Sequence, residues 1–267
     1  MNNNIIIPDW DAPKNVQSLL TTRQGGCSKA PFDSFNLAEH VDDTPENVEK
    51  NRQLLLTRLP AEPLWLNQIH SNVIVDAGQS AVGIDADGSY TTEADCVSIV
   101  MTADCLPVLI CNRQGTIVAA VHAGWRGLVN GILEQAVKKV LSTGQCQAED
   151  LLVWLGPAIG PEKFEVGDEV RQAFLQNSEA KKSSDKNAQD KKRIEQCFSP
   201  VNNNKNKYLA NIYKLARFRL SYQGIENISG GNYCTYIEQD KFFSYRRDGK
   251  TGRMASLIWL EKYKHAE

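Results

Sequence analysis

Cys105 and His122 form the residue pair most capable of chemistry in this sequence. A thiol beside an imidazole can act as a nucleophile with its general base, or both groups can bind a metal ion, most naturally zinc. For such a pair taken alone, a buried cysteine and a hydrogen-bonded core histidine are an equally good interpretation. The neighbours favour chemistry, because Asp104 precedes the cysteine and the glycine-containing segment 123–127 follows the histidine. Glycines there allow close approach of a ligand, and Arg126 can bind an anion through two hydrogen bonds.

A predicted β-hairpin brings this pair together. An apolar run and a β-branched run flank the polar segment 112–115, which has the composition of a four-residue hairpin loop. Pairing across that loop places Cys111 opposite Thr116 and, by continued counting, Cys105 opposite His122. Directly opposite residues have Cβ atoms about 4.5–5.5 Å apart, so this register predicts a site at the open end of the hairpin.

The remaining predicted elements mix helices and strands without a regular βαβ repeat, which indicates the α+β class. A helix is expected to begin after Thr44 and to end at Pro60. Further helices are predicted at 128–141 and 208–222, and strands at 16–22, 64–70, 73–75, 96–101 and 151–155. If the helix at 128 begins near Gly127, its N-terminal amides and Arg126 favour a phosphate near His122.

Composition indicates one folded domain with a polar appendage. The chain has 267 residues and 42% hydrophobic content, enough for a substantial core, and no linker divides it. We therefore expect a single domain over residues 1–267. The segment 176–207 is rich in lysine, asparagine and serine and is expected to be a mobile polar excursion on the surface.

Charge and targeting signals argue against several classes of protein. The net charge of −2 argues against general binding of nucleic acid or of a membrane surface. No apolar run of about eighteen residues is present, and the first residues lack the pattern of a signal peptide. The seven cysteines are odd in number and scattered, which is typical of a cytoplasmic protein.

Several motifs carry a resemblance to a known family. TADCLPVL (102–109) and AVHAGWRG (120–127) flank the candidate hairpin, and five more segments follow the same order: TTRQGGCS (21–28), FNLAEHVDD (35–43), WLNQIHS (65–71), WLGPAIGPEKFEVG (154–167) and FFSYRRDGKTGRMAS (242–256). Together they closely resemble the YfiH family over nearly the whole chain. Members of that family are also described as laccase-domain or polyphenol oxidase proteins and as purine nucleoside phosphorylases.

The resemblance implies a metal site in which His70 joins Cys105 and His122. Three such ligands leave one tetrahedral position open, as a catalytic zinc requires, and copper is a second metal compatible with them. Family members more often have glycine after the first histidine, where this chain has Ser71. The acidic segment 82–95 is typical of a solvated loop, although Asp87 or its neighbour Asp85 could orient a ligand histidine.

Candidate substrate contacts are mostly arginines. Arg246 lies in an aromatic and arginine-rich segment that could serve a phosphate or a purine, and Arg126 follows the site histidine. The resemblance adds Arg23 and Asn36 as substrate contacts. His40 is an isolated loop histidine and is expected to be structural.

The resemblance also implies a fold that periodicity does not predict. It is a layered α/β/β/α sandwich with mixed sheets, of the kind shared with bacterial toxin deamidase domains such as those of CNF toxins.

The histidine count limits the metal chemistry. A blue-copper centre takes two histidines and a cysteine, and adding a trinuclear cluster raises the need to about ten histidines. This chain has four: His40, His70, His122 and His265. A single His/Cys/His site is the most it supports, and zinc in such a site lowers the pKa of bound water to about 7 or polarises an oxygen.

Purine chemistry is what the resemblance implies for this site. It comprises phosphorolysis of adenosine, inosine and S-methyl-5'-thioadenosine, together with deamination of adenosine, so the expected partners are a nucleoside and phosphate. Two alternatives stay open. One is a metal-free Cys/His thiol amidohydrolase, which suits the peptidoglycan-precursor editing that the resemblance includes, and the other is a non-catalytic metal or purine binder. A monomer or homodimer in the cytoplasm is expected, with no nucleic acid or membrane partner.

Overall fold

Strands and helices alternate irregularly along the chain. The computed structural model describes residues 5–179, 184–202 and 204–262. The strands are β1 (Ile5–Ile6), β2 (Val16–Thr21), β3 (Ile74–Asp76), β4 (Gly88–Thr91), β5 (Ser98–Thr102), β6 (Leu106–Asn112), β7 (Val118–Ala123), β8 (Leu151–Leu155), β9 (Glu165–Gly167), β10 (Phe198–Val201), β11 (Asn204–Ala210), β12 (Ile228–Gly230) and β13 (Met254–Leu260). The helices are α1 (Pro45–Leu56), α2 (Trp125–Asn130), α3 (Ile132–Gly144), α4 (Asp168–Glu179), α5 (Ser184–Glu195), α6 (Ile212–Tyr222) and α7 (Tyr245–Asp248).

The strands form two large sheets and one small one. The six-stranded sheet has the order β12-β8-β6-β7-β4-β3 and is mixed, because β12 pairs parallel to β8 and β3 parallel to β4. The four-stranded sheet has the order β1-β2-β13-β5 and is antiparallel. Strands β10, β11 and β9 make the small antiparallel sheet.

The two large sheets pack face to face between helical layers. Along β6, Val108 and Ile110 pack in the same core as α2, α3 and α6, whereas Leu109 and Cys111 pack against the four-stranded sheet. Because both faces are covered, β6 is a continuous apolar run. The outer face of the four-stranded sheet packs with Leu55 of α1. This is the α/β/β/α order that the resemblance implies, and the mixed α+β class is confirmed.

The central hairpin forms, but its predicted register is wrong by two residues. Cys111 pairs with Val118, and Pro107, not Cys105, lies opposite His122. Side chains alternate between the faces of a strand with a period of two, so an even shift leaves the same side chains on the same face. Cys105 therefore still approaches His122, as a diagonal neighbour beyond the end of β6.

The loop between β6 and β7 is longer than the predicted four residues because of the Asn112 side chain. The Asn112 amide donates to the Thr116 hydroxyl (2.7 Å), and the Thr116 main-chain N–H donates to the Asn112 Oδ1 (2.9 Å). These bonds close the turn within residues 112–116, and the strand resumes only at Val118. Propensity alone does not reveal such a side-chain closure.

Helix boundaries differ from the prediction in two places. The helix predicted at 128–141 is two helices, α2 and α3, which meet at Gly131 with φ of 86°. With six residues, α2 is too short to act as the expected anion-binding N terminus. Residue Tyr208 lies in β11, and α6 begins only at Ile212, where the Asn211 side chain accepts from the Lys214 main-chain N–H.

One further expectation is corrected. In 64–70 only isolated bridges form instead of a strand, at Leu64 and Asn67. The described part of the segment 176–207 forms the end of α4, then α5 and the β10–β11 hairpin, and Ile194 and Phe198 are buried in the core. Residues 180–183 and 203 of this segment lie outside the described residues, and its mobility stays a prediction. Within the described ranges, no helix is both long and apolar enough to cross a bilayer.

Candidate metal centre

Three side chains from distant parts of the chain converge on one point. The ligand atoms of His70, Cys105 and His122 all lie within 4.8 Å of one another. The Cys105 Sγ is 3.8 Å from the His70 Nε2. The two imidazole rings meet edge to face, with centroids 4.9 Å apart and an angle of 73° between their planes. The structure thus brings together the three predicted metal ligands.

Asp87 holds His122 at two atoms. The His122 main-chain N–H donates to the Asp87 carbonyl oxygen (2.7 Å), and its Nδ1 lies 2.8 Å from the Asp87 Oδ1. Hydrogen bonds from His122 and Ser71 lower the pKa of Asp87, although its burial acts in the opposite direction and is the largest single influence. A carboxylate only accepts hydrogen bonds, so the proton of His122 is on Nδ1 and its Nε2 is left to bind a metal.

The same carboxylate shapes the loop that carries His70. The Asp87 oxygens accept from the main-chain N–H groups of Ile69, His70 and Ser71, and from the Ser71 hydroxyl at 2.7 Å. With these hydrogen bonds in place, the backbone at His70 adopts a left-handed conformation, with φ of 60°. Asp87 is fully buried, so the expectation of a solvated loop is wrong at this residue. The serine at position 71 adds a donor that a glycine lacks.

Cys105 is presented by a second carboxylate-centred loop. Asp104, with φ of 92°, accepts from the Thr235 hydroxyl and from the Arg246 main-chain N–H, both at 2.6 Å. These two bonds tie the end of β5 to the start of α7. They fix the turn from which Cys105 reaches the histidines.

The thiol and the imidazoles shift each other's protonation. Burial by itself raises the pKa of Cys105, but His122 and His70 together lower it to about 6. Burial likewise lowers the pKa of His122, and Cys105 and Asp87 raise it to about 9. At neutral pH the metal-free cluster therefore holds a thiolate beside a protonated His122. The thiolate is the form that binds a metal, and metal binding would displace the second proton of His122, which is on Nε2.

The donor set fits a tetrahedral metal ion. Zn–S and Zn–N bonds of about 2.3 and 2.05 Å at a tetrahedral angle place the sulfur and nitrogen about 3.5 Å apart. The observed 3.8 Å between the Cys105 Sγ and the His70 Nε2 is close to this value. Thiolate and imidazole are ligands that zinc and copper both accept, and three of them leave a position for a substrate.

Gly124 allows the three side chains to converge because a larger residue at this position would collide with two of them. A Cβ at this position would lie 2.9 Å from the His70 Cδ2 and 3.0 Å from the Cys105 Sγ. Its φ of −67° is ordinary for any residue. We expect Gly124→Ala to fold with a melting temperature close to that of the parent, and to weaken metal binding about tenfold or more by displacing two ligands. Metal titration followed by thermal unfolding measures both, and unchanged affinity would contradict the steric argument.

The cluster opens onto a cavity of about 520 Å³. That volume suits a small-molecule site. Its walls combine aromatic side chains with guanidinium groups and one histidine: Trp125, Phe164, Tyr245, Arg126, Arg246, Arg253 and His40. Aromatic faces and guanidinium groups are suited to a planar base and to an anion, respectively.

The predicted substrate contacts divide into two groups. Arg126 and Arg246 line the cavity. Arg23 does not, since it lines a separate cleft and donates to the Asp33 and Gln239 carbonyl oxygens. Asn36 is fully buried and donates to the Ala38 carbonyl oxygen. Neither Arg23 nor Asn36 lines this cavity, and their role as substrate contacts stays a prediction.

Sequence reasoning missed most of the cavity wall and undervalued Asp87. His40, expected to be structural, lines the cavity, and so does Arg253. Burial and the nearby Arg253 lower the pKa of His40. Arg253 lies in the segment 242–256, in which the prediction selected Arg246 from the consecutive pair Arg246 and Arg247. For Asp87 the sequence offered one signal, which is that this acidic residue directly precedes Gly88, the first residue of strand β4.

Comparisons with known proteins agree with this architecture. Residues 17–261 match the family model described as multi-copper polyphenol oxidoreductase laccase. The chain is 49% identical over 259 residues to the Escherichia coli K12 protein named purine nucleoside phosphorylase YfiH, with 96% of this chain and 98% of that protein covered. It is 47% identical over 256 residues to a Pseudomonas aeruginosa protein also named purine nucleoside phosphorylase, with the same coverage. A Neisseria meningitidis crystal structure superposes with a TM-score of 0.86 at 43% identity and covers 97% of this chain and 100% of that one.

Proposed function

The chain belongs to the family described as multi-copper polyphenol oxidoreductase laccase, and from this premise we propose that it is a zinc-dependent purine nucleoside phosphorylase. The proposed substrates are adenosine, inosine and S-methyl-5'-thioadenosine, with adenosine deamination as a side activity. The observation that carries the proposal is the His70, Cys105 and His122 cluster on the wall of a nucleoside-sized cavity. The names of the similar proteins from Escherichia coli and Pseudomonas aeruginosa support the choice of reaction.

The multicopper part of the family description does not extend to this chain. Of its four histidines, His70 and His122 belong to the cluster and His40 lies elsewhere on the cavity wall. His265 is outside the described residues. Since a blue-copper centre and a trinuclear cluster need about ten histidines in total, one metal ion is what these side chains can hold.

The residues of the cavity have separable roles in phosphorolysis. In this reaction a phosphate oxygen bonds to the ribose C1' while the bond from C1' to the purine nitrogen breaks. When bound by His70, Cys105 and His122, zinc supplies Lewis-acid polarisation at the substrate. The Asp87 carboxylate keeps the proton of His122 on Nδ1, and the arginines of the wall offer positive charge to the phosphate.

The walls also account for a purine substrate. Trp125, Phe164 and Tyr245 present aromatic surface to the cavity, on which a planar base can stack.

The test combines metal analysis with a nucleoside panel. Purified protein should contain about one zinc per chain, and should release adenine from adenosine and hypoxanthine from inosine only when phosphate is present. Chelation should abolish both reactions, and zinc should restore them. Formation of inosine from adenosine without phosphate measures the deaminase side activity. Tight zinc without any turnover would reject the enzyme in favour of a metal-binding protein.

A second function is favoured by the thiolate of Cys105. A lowered cysteine pKa beside imidazoles is also the signature of a thiol nucleophile, so a metal-free amidohydrolase is the competing proposal. In metal-free protein, alkylation of Cys105 by iodoacetamide should speed up as the pH rises through about 6 and level off above it, because the thiolate is the reacting form. Mass spectrometry locates the label, and Cys105→Ala should lack this component.

Zinc distinguishes the two proposals. If the thiolate is a metal ligand, zinc should protect Cys105 from iodoacetamide and raise phosphorolysis together. If it is a nucleophile, alkylation should abolish an amidase activity that zinc inhibits. The buried Cys111 and Cys197 do not interfere, because burial raises their pKa values to about 12 and about 11.

A further inference from the structure

The cavity beside the metal cluster has an excess of positive charge. Arg126, Arg246 and Arg253 line it, whereas Asp104 is the acidic residue among the lining side chains. Both oxygens of Asp104 already accept short hydrogen bonds, from Thr235 and from the main chain of Arg246. An anion is therefore the complement that this cavity lacks.

The three arginines differ in how far the protein already occupies them. Arg126 is exposed and its guanidinium lies 4.4 Å from the centroid of the Trp125 ring. Arg246 is exposed and donates through Nη1 to the Glu165 carbonyl oxygen at 2.6 Å. Arg253 is half-buried, so it is the most desolvated of the three.

Arg253 is anchored along one side only. Its Nη1 donates to the Thr251 and Gly252 carbonyl oxygens at 2.9 and 3.1 Å. Its Cζ lies 5.9 Å from the centroid of the Tyr245 ring. Across the described part of the chain, its Nε and Nη2 have no hydrogen-bond acceptor and no carboxylate lies within ion-pair distance of it. The neighbouring Arg247, in contrast, is bonded to three carbonyl oxygens and to Asp248. A guanidinium held by Nη1 with a free Nε–Nη2 edge is preorganised for two-point binding of an oxyanion.

The burial of Arg253 supports the same conclusion. Burial lowers its pKa more than the nearby Cys105, Asp104 and Tyr245 raise it. A cation that is partly removed from water without a paired anion costs folding free energy. An anionic ligand that pairs with Arg253 would offset this desolvation cost.

We propose that the Nε–Nη2 edge of Arg253 binds inorganic phosphate as the co-substrate, beside the cluster of His70, Cys105 and His122. This assignment rests on the proposed phosphorylase function and adds the position of its second substrate. It also separates Arg253 from Arg126 and Arg246, which remain to contact the nucleoside.

Phosphate binding is measured on the zinc-loaded full chain by equilibrium dialysis with radiolabelled orthophosphate and by thermal unfolding with and without phosphate. In Arg253→Met the dissociation constant for phosphate should rise about tenfold or more, and the phosphate-induced rise in melting temperature should vanish. Without phosphate this variant should melt close to the parent, since it loses a half-buried, unpaired charge together with two hydrogen bonds to carbonyl oxygens. Arg253→Lys keeps the positive charge but lacks the paired N–H donors of the guanidinium, and it should bind phosphate with intermediate affinity. If Arg253→Met does not fold, the lysine variant replaces it.

Steady-state kinetics test the same assignment through the KM values for phosphate and for adenosine. In Arg253→Lys the KM for phosphate should rise about tenfold while the KM for adenosine changes less than about twofold. Arg113→Met is the control, because Arg113 is exposed in the hairpin loop and does not line the cavity. That control should leave both KM values and phosphate binding unchanged.

The outcomes separate this assignment from the phosphorylase proposal. Phosphate binding that depends on Arg253 in a protein without phosphorolysis supports the phosphate site and rejects both the phosphorylase and the co-substrate role. Phosphorolysis with an unchanged KM for phosphate in both Arg253 variants overturns the assignment alone. If adenosine monophosphate needs Arg253 but inorganic phosphate does not bind, the anion belongs to a nucleotide substrate, and the co-substrate assignment is overturned.

Discussion

Replacing Cys105 with alanine should abolish tight zinc binding and lower kcat/KM for adenosine phosphorolysis by about 10³-fold or more. The sulfur is one of three ligand atoms lying within 4.8 Å of one another, and two imidazoles alone hold zinc weakly. The fold should persist, because Cys105 lies in the turn between β5 and β6 and is only partly buried. Zinc content by elemental analysis and adenine release with phosphate measure the two effects.

A second cysteine supplies the control for this experiment. Cys27 is exposed and contacts Asn47 and Asn51, away from the cavity lining. Cys27→Ala should therefore keep zinc binding and activity at the level of the parent. Phosphorolysis that survives in Cys105→Ala would reject the metal-based proposal outright.

Replacing Asp87 with alanine should destabilise the protein by about 3–5 kcal/mol as well as weaken metal binding. The carboxylate is fully buried and accepts hydrogen bonds from His122 and from the loop at Ile69, His70 and Ser71. Its loss leaves several buried donors without an acceptor. Chemical denaturation of the metal-free protein gives the stability change independently of zinc.

Asp87→Asn separates orientation from stability. The amide keeps the size of the side chain but brings an NH₂ group toward donors, so the bond to His122 Nδ1 or the bonds to the loop must be lost. Zinc affinity should fall about 10–100-fold, as for other residues that orient metal ligands. Asp85→Asn is the matched control, because Asp85 is exposed and bonds to Asn67. Equal effects of the two asparagine variants would contradict the orienting role.

The central strands can be predicted from local pattern, whereas the order of the layers is implied only by the family resemblance. The apolar run at 106–111 indicates a strand covered on both faces, and β6 is covered in this way by the helical core and by the second sheet. The convergence of Cys105 and His122 survived a wrong register because the error was even, which leaves the facing of side chains intact. An error of one residue would have placed the two side chains on opposite faces.

The arginines show where local pattern is insufficient. Arg23, Arg246 and Arg253 all stand in motifs that resemble the family, yet only the last two line the cavity. Which arginine faces a cavity depends on contacts between distant segments, such as that between the main chain of Arg246 and Asp104. Sequence spacing carries no information about those contacts.

The sequence by itself determined the family, the α+β class and the identity of the three side chains of the candidate metal cluster. Only the tertiary structure decided which groups surround them: Asp87 beneath both histidines, Gly124 against the ligands and Arg253 on the cavity wall. The physical reason is that ligand types and strand patterns are properties of short segments. Burial, the pairing of a carboxylate with an imidazole and the absence of a partner for a cation arise only when segments far apart in the chain pack together.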